Sequence, residues 1–153
     1  MTRNYLLNHC LLVTDKIMST TTLTFLLMDA PFEQARTTTA FRLMDAALDK
    51  GYNVNVFAYE GAVSLAFSHQ RPHANSIHGR TFEEENHPLT KDWVAAMQAK
   101  AQDKGCRFDW INCGLCVDER GVQEAIKGCR RGGPKDFWQW ATESASTLVI
   151  GTR

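Results

Sequence analysis

The sequence predicts an α/β fold, a single three-layer domain with a mainly parallel sheet flanked by helices. Three observations predict it. Apolar runs of strand length alternate with segments of helical period from residue 23 onward. The first run, Leu-Thr-Phe-Leu-Leu-Met at 23–28, is nearly continuous, as in a strand covered on both faces. A chain of 153 residues is also long enough to bury one substantial core.

Residues 1–17 match nothing that follows. Leu6, Leu7, Leu11, Leu12 and Val13 are apolar, but Asn8, His9 and Cys10 interrupt them and no small-residue cleavage site follows. The expectation is an extension that is disordered or not native, with Met18 as the natural start and 18–153 as the domain. After the first strand, Asp29-Ala30-Pro31-Phe32 breaks the apolar run. Thr37, Ala40, Phe41, Met44, Ala47 and Leu48 then recur at helical spacing, with Gly51 as the stop. Residues 53–59, Asn-Val-Asn-Val-Phe-Ala-Tyr, form the second strand, which completes a βαβ unit with a right-handed crossover. A short apolar helix follows from Val63 to Phe67.

Residues 68–88 read as one long irregular loop carrying His69, His73, His78 and His87. The spacing is no recognised zinc pattern, and Pro72 lies inside the only His-x3-His pair. We read the loop as solvated, with no metal and no cofactor, although long loops often serve as lids or partner surfaces. Thr90 caps a helix through about Lys104, with Trp93, Val94, Met97 and Ala101 facing inward and Gly105 ending it. Residues 106–112 are the third strand, and a short helix covers 117–120 before Gly121. Pro134 begins a further helix with Phe137, Trp138 and Ala141 on one side. Residues 147–151 close the chain as a fourth buried strand.

Seventeen basic residues balance seventeen acidic ones. Neutrality supplies no electrostatic case for direct nucleic-acid binding or an anionic membrane, and it eases self-association. Five cysteines (Cys10, Cys106, Cys113, Cys116 and Cys129) without a secretory signal argue against a disulfide scaffold and for reduced thiols in a cytoplasm. Cys106 and Cys129 read as packing residues. The aromatic set Trp93, Phe108, Trp110, Trp138 and Trp140 reads as core and subunit interface.

The functional centre is 110–117, Trp-Ile-Asn-Cys-Gly-Leu-Cys-Val, where a strand runs out and a helix begins. Cys113 therefore sits at the carboxyl edge of the sheet, where ligands and chemistry collect in open α/β folds. The thiolate is the competent form; Asp118 and Glu119 oppose it and Arg120 favours it. Cys113 and Cys116, three apart on a first helical turn, also have the spacing of a redox pair. A thioredoxin motif, however, follows an early strand and needs a downstream cis-proline, whereas this pair follows the third strand. A zinc knuckle lacks its second ligand pair.

The layout resembles the DsrE/TusD (DsrE/DsrF-like) family of small sulfur-relay proteins from about Leu23 to Ile150. The resemblance is carried by Ala30-Pro31, by Thr39-Ala40-Phe41-Arg42 and by 56–63, Val-Phe-Ala-Tyr-Glu-Gly-Ala-Val. It ends in Ile111-Asn112-Cys113 with Arg120-Gly121-Val122 beyond. It implies a sulfurtransferase-type carrier that takes sulfur as a persulfide on Cys113 and hands it to a partner. It also implies sulfur donor and acceptor proteins, a homotrimer or homohexamer, and a place in tRNA thiolation or dissimilatory sulfur metabolism. Cys116 departs from the pattern, since a neighbouring thiol can attack a persulfide. Two other readings stay open: a non-catalytic structural or ligand-binding subunit of the same fold, and a dithiol redox protein using Cys113 and Cys116.

Overall fold

The computed structural model of the chain describes residues 21–72, 79, 81–85, 88–121 and 124–152. The extension expected at 1–17, with Cys10, lies outside them, as do His73, His78 and His87. In order, the elements are β1 (Thr22–Leu27), α1 (Ala35–Asp49), β2 (Asn53–Ala58), a 3-10 helix (Glu60–Ala66) and α2 (Phe82–Glu85). They continue as α3 (Thr90–Lys104), β3 (Phe108–Cys113), α4 (Gly114–Glu119), β4 (Cys129–Gly132), α5 (Pro134–Glu143) and β5 (Ser146–Ile150).

The sheet order is β4-β3-β2-β1-β5, and every pairing is parallel. The chain steps outward from β1 to β4 and then returns to lay β5 on the far side of β1. Right-handed crossovers put helices on opposite faces when the direction of stepping reverses. Accordingly α1 and α3 share one face and α5 takes the other, which is the predicted three-layer α/β arrangement.

Register decides which side chains meet which layer. Phe25, Val56, Trp110 and Leu148 align across the sheet. With Leu27, Val54 and Ala58, they point into the main core beneath α1 and α3. All six inward positions expected for α1 are buried, from Thr37 to Leu48. Phe41 packs edge-on against Trp93 and Trp110, at centroid distances of 5.2 and 6.4 Å. Gly105 ends α3 at φ 68, the left-handed region that glycine enters without a Cβ penalty.

The opposite face is thinner. Phe57, Ile111, Cys113, Val63, Cys116 and Val117 form a second buried cluster, closed by Leu26, Tyr59, Phe137 and Trp140. Helix α5 supplies two of those closing residues yet buries none of its own fully. Its path is pinned by a 2.6 Å hydrogen bond between the Thr24 and Ser144 hydroxyls and by Arg130 over the Trp140 ring at 5.7 Å.

Four expectations are corrected. The closing strand expected to be buried is an edge strand, β5, with Val149 exposed. The sheet has five strands rather than four, because Cys129–Gly132 pairs with β3 from Trp110 to Cys113. The apolar helix expected at 63–67 is a 3-10 helix starting at Glu60, directly after β2. The segment 68–88 is not irregular throughout, since α2 occupies part of it.

Candidate functional site

Four of the five strands deliver something to the carboxyl edge: Asp29 beyond β1, Tyr59 and Glu60 beyond β2, Cys113 on β3, and Gly133 beyond β4. Cys113 is the last residue of β3 and the cap of α4, as the strand-to-helix reading expects. The helix begins at Gly114, earlier than the expected Val117, so Cys116 falls inside its first turn. Both cysteines are free, and they are 2% and 3% exposed. They face the same buried cluster.

The surroundings of the pair come from three separate stretches. The turn after β2 is drawn against β1 by Tyr59 N–H to the Leu27 carbonyl (2.9 Å) and Ala62 N–H to the Met28 carbonyl (3.1 Å). Within that turn Glu60 has φ 50, a conformation that costs a side-chain-bearing residue roughly 1–2 kcal/mol. Its carboxylate pairs with Arg120 at the end of α4. From β4, Arg131 donates to the Gly114 carbonyl at 2.9 Å and pairs with Asp118 at 2.7 Å. Two arginines thus hold the short helix at its ends, one through β4 and one through the β2 turn.

This arrangement revises the charges expected around Cys113. Arg120 is directed to Glu60 and Glu119, and the charge of Asp118 is met by Arg131. Burial pushes the Cys116 thiol up, and the hydrogen bond with Cys113 adds to this. The Glu60 N–H works the other way by favouring the thiolate. Tyr59 is held above the usual phenol range, first by negative charge on Cys116 and then by Glu60.

Beside the pair, Met28, Glu33, Glu60, Gly61, Arg120 and Thr152 line an open cleft of about 380 Å³. Asp29, 4% exposed, stands behind it with Arg36 Nε 3.8 Å from its carboxylate; Arg36 also donates to the Gly151 carbonyl at 2.6 Å. The Glu60 turn, Arg131 and Tyr59 all escaped the sequence reading. Their link to the cysteines is purely long-range, and only the family-like segment at 56–63 hinted at two of them.

The other two described cysteines sit apart from the pair. Burial pushes the Cys129 thiol up to about 12, and Gln98 donates to its sulfur at 3.8 Å. Cys106 packs at the edge of the main core. Of the loop histidines, His69 shares a 3.2 Å hydrogen bond with the Ser68 hydroxyl and tilts against Phe67. Among the described residues, no group of three or more histidine, cysteine or carboxylate side chains is placed to hold a metal ion, and no helix is long and apolar enough to cross a membrane.

Fold and site together define an α/β protein with a buried cysteine pair at the carboxyl edge of a five-stranded parallel sheet. Residues 22–150 match the model of the DsrE/DsrF-like family, and the chain belongs to that family. Among solved structures it resembles the ychN protein of Escherichia coli, with a TM-score of 0.65 at 16% identity, covering 85% of this chain and 99% of that one. It also resembles BT1422, a conserved protein of unknown function from Bacteroides thetaiotaomicron, with a TM-score of 0.52 at 12% identity, covering 84% of this chain and 94% of that one. At such identities the likeness is one of fold. A search of the curated proteins finds no match.

Proposed function

We propose that this protein is a cytoplasmic sulfur carrier that accepts sulfur as a persulfide on Cys113 and passes it to a partner protein. The observation that carries the reading is the position of Cys113, the last residue of β3 at the carboxyl edge of the sheet, in a chain that belongs to a sulfur-relay family. Donor and acceptor are taken to be proteins, in keeping with membership of a relay family. Leu115, between the two cysteines, is 70% exposed and offers such a partner an apolar contact.

Assembly into a homotrimer or homohexamer is part of the same proposal. Trp138 and Val149 are 71% and 61% exposed on the thin side of the domain, and β5 is a sheet edge. Apolar side chains of this size on an open edge are the usual material of subunit contacts.

The test is direct. Reduced protein incubated with a persulfide donor is expected to gain the mass of one or more sulfur atoms on the tryptic peptide spanning residues 108–120. Cys113→Ser abolishes the gain and Cys116→Ser keeps it. Loading that survives Cys113→Ser unchanged moves the acceptor elsewhere and defeats the proposal. The dithiol reading, which the contact between the thiols favours, predicts instead a loss of two free thiols on oxidation with no sulfur bound.

A further inference from the structure

Building on the carrier reading, we infer that Cys116 is a resolving thiol: it attacks the inner sulfur of a Cys113 persulfide, so that cargo not collected by an acceptor leaves as hydrogen sulfide.

Two independent features carry this. The first is proximity. Helical geometry puts the Cα atoms of residues three apart at about 5 Å, within the range of roughly 4.4–6.8 Å that a disulfide spans without backbone movement. The two side chains already meet in one buried cluster. The second is the turn at Glu60. Its backbone is held at φ 50 and its carboxylate latches Arg120 on the helix that carries Cys116. That helix is therefore tied to the turn after β2, which keeps the Cys116 thiol beside Cys113.

The step balances without an outside oxidant. The Cys116 thiol loses its proton and its sulfur bonds to the Cys113 sulfur. The bond from that sulfur to the outer one breaks, and the outer sulfur departs with the electron pair and a proton as hydrosulfide. The sulfane sulfur is reduced by two electrons and the two cysteine thiols are oxidised to a disulfide. A dithiol reductant then restores the pair.

Burial sets the selectivity. A thiol 3% exposed with a raised pKa is a poor nucleophile toward solutes. A tethered neighbour nevertheless acts at an effective concentration of about a millimolar or more, roughly a thousandfold above a micromolar second molecule. Release is thus an internal reaction, and its rate is independent of protein concentration.

The experiment uses the full chain, reduced, loaded with glutathione persulfide and freed of excess donor. Trapped sulfide and the alkylated mass of peptide 108–120 are followed in time. One sulfide per loaded chain is expected, together with a peptide two hydrogens lighter that no longer alkylates. Cys116→Ser and Cys116→Ala are expected to load equally and to release sulfide about a thousandfold more slowly. The disulfide in the unmodified protein is a second readout, independent of whether either variant folds. A Cys113 persulfide that survives equally long in all three proteins, with no disulfide formed, overturns the resolving role and leaves the carrier reading intact. Equal release from the Cys116 variants overturns it too. Failure of Cys113 to load in any of them defeats the carrier reading and this inference with it.

Discussion

Gly61→Ala tests whether the turn after β2 is as tightly built as the site requires. A Cβ on Gly61 would lie 3.0 Å from the Ala30 nitrogen, 3.1 Å from the Ala30 Cβ and 3.3 Å from the Met28 carbonyl oxygen. Two of those atoms are backbone and the third is a methyl fixed to it, so no side-chain rotation relieves the contact. In open space, replacing glycine by alanine at an ordinary backbone angle stabilises by about 0.4–1 kcal/mol through the unfolded chain. Forcing one extra carbon into packed structure costs about 1–3 kcal/mol. The contact wins, with a net loss of roughly 0.5–2 kcal/mol. For a domain of this size that lowers Tm by about 1–8 °C, at 2–4 °C per kcal/mol. Calorimetry checks the shift. Because Glu60 adjoins the displaced residue, the rate of sulfide release after persulfide loading is expected to fall as well. A Tm equal to or above that of the parent would show that the β1 and β2 turns slide apart freely, and the argument that the β2 turn fixes the helix carrying Cys116 would fail with it.

Two further outcomes are expected. Asp136 accepts from the Gly133 N–H at 2.8 Å at the start of α5, and that hydrogen bond, followed by Arg130, holds its carboxyl below the usual range. A depressed folded value contributes stability above the unfolded value, lost as pH falls through the folded one. Asp136→Asn is therefore expected to cost about 0.5–1 kcal/mol at neutral pH, the low end for an exposed cap. The gap from the parent should close below about pH 4 in chemical denaturation; a gap constant with pH refutes it. Trp138→Glu combined with Val149→Glu is expected to reduce the assembly to single chains by light scattering without loss of helical content, because both side chains are more than half exposed. An unchanged mass would put the subunit contact elsewhere.

What was legible in the sequence was whatever local chemistry encodes. The inward stripe of α1 follows from spacing, and the end of α3 follows from Gly105. Cys113 at the strand end follows from an apolar run meeting a helix start. Strand β4 was illegible for the opposite reason. Cys-Arg-Arg-Gly has no apolar alternation, and only its pairing with β3 makes it a strand. The start of α4 was legible only in part: the short helix was placed at 117–120, and it is Arg131, far along the chain, that holds the Gly114 carbonyl at its true first turn. The left-handed backbone at Glu60 left no trace either, because a glutamate there gives none of the signal that a glycine would.

Side-chain parity adds a consequence that connects site and assembly. Along β3, Ile111 and Cys113 point to the face that α5 covers, whereas Trp110 points into the thicker core. The cysteine pair therefore lies under the layer that buries least of itself, closed by Phe137 and Trp140 from the same helix that exposes Trp138. A partner seated on α5, whether a second copy or a sulfur acceptor, would press on the residues that close the thiols from solvent. A partner on the α1 and α3 face would be separated from them by the sheet. On the carrier proposal, contact at α5 is therefore where association would bear on the cluster that holds Cys113 and Cys116.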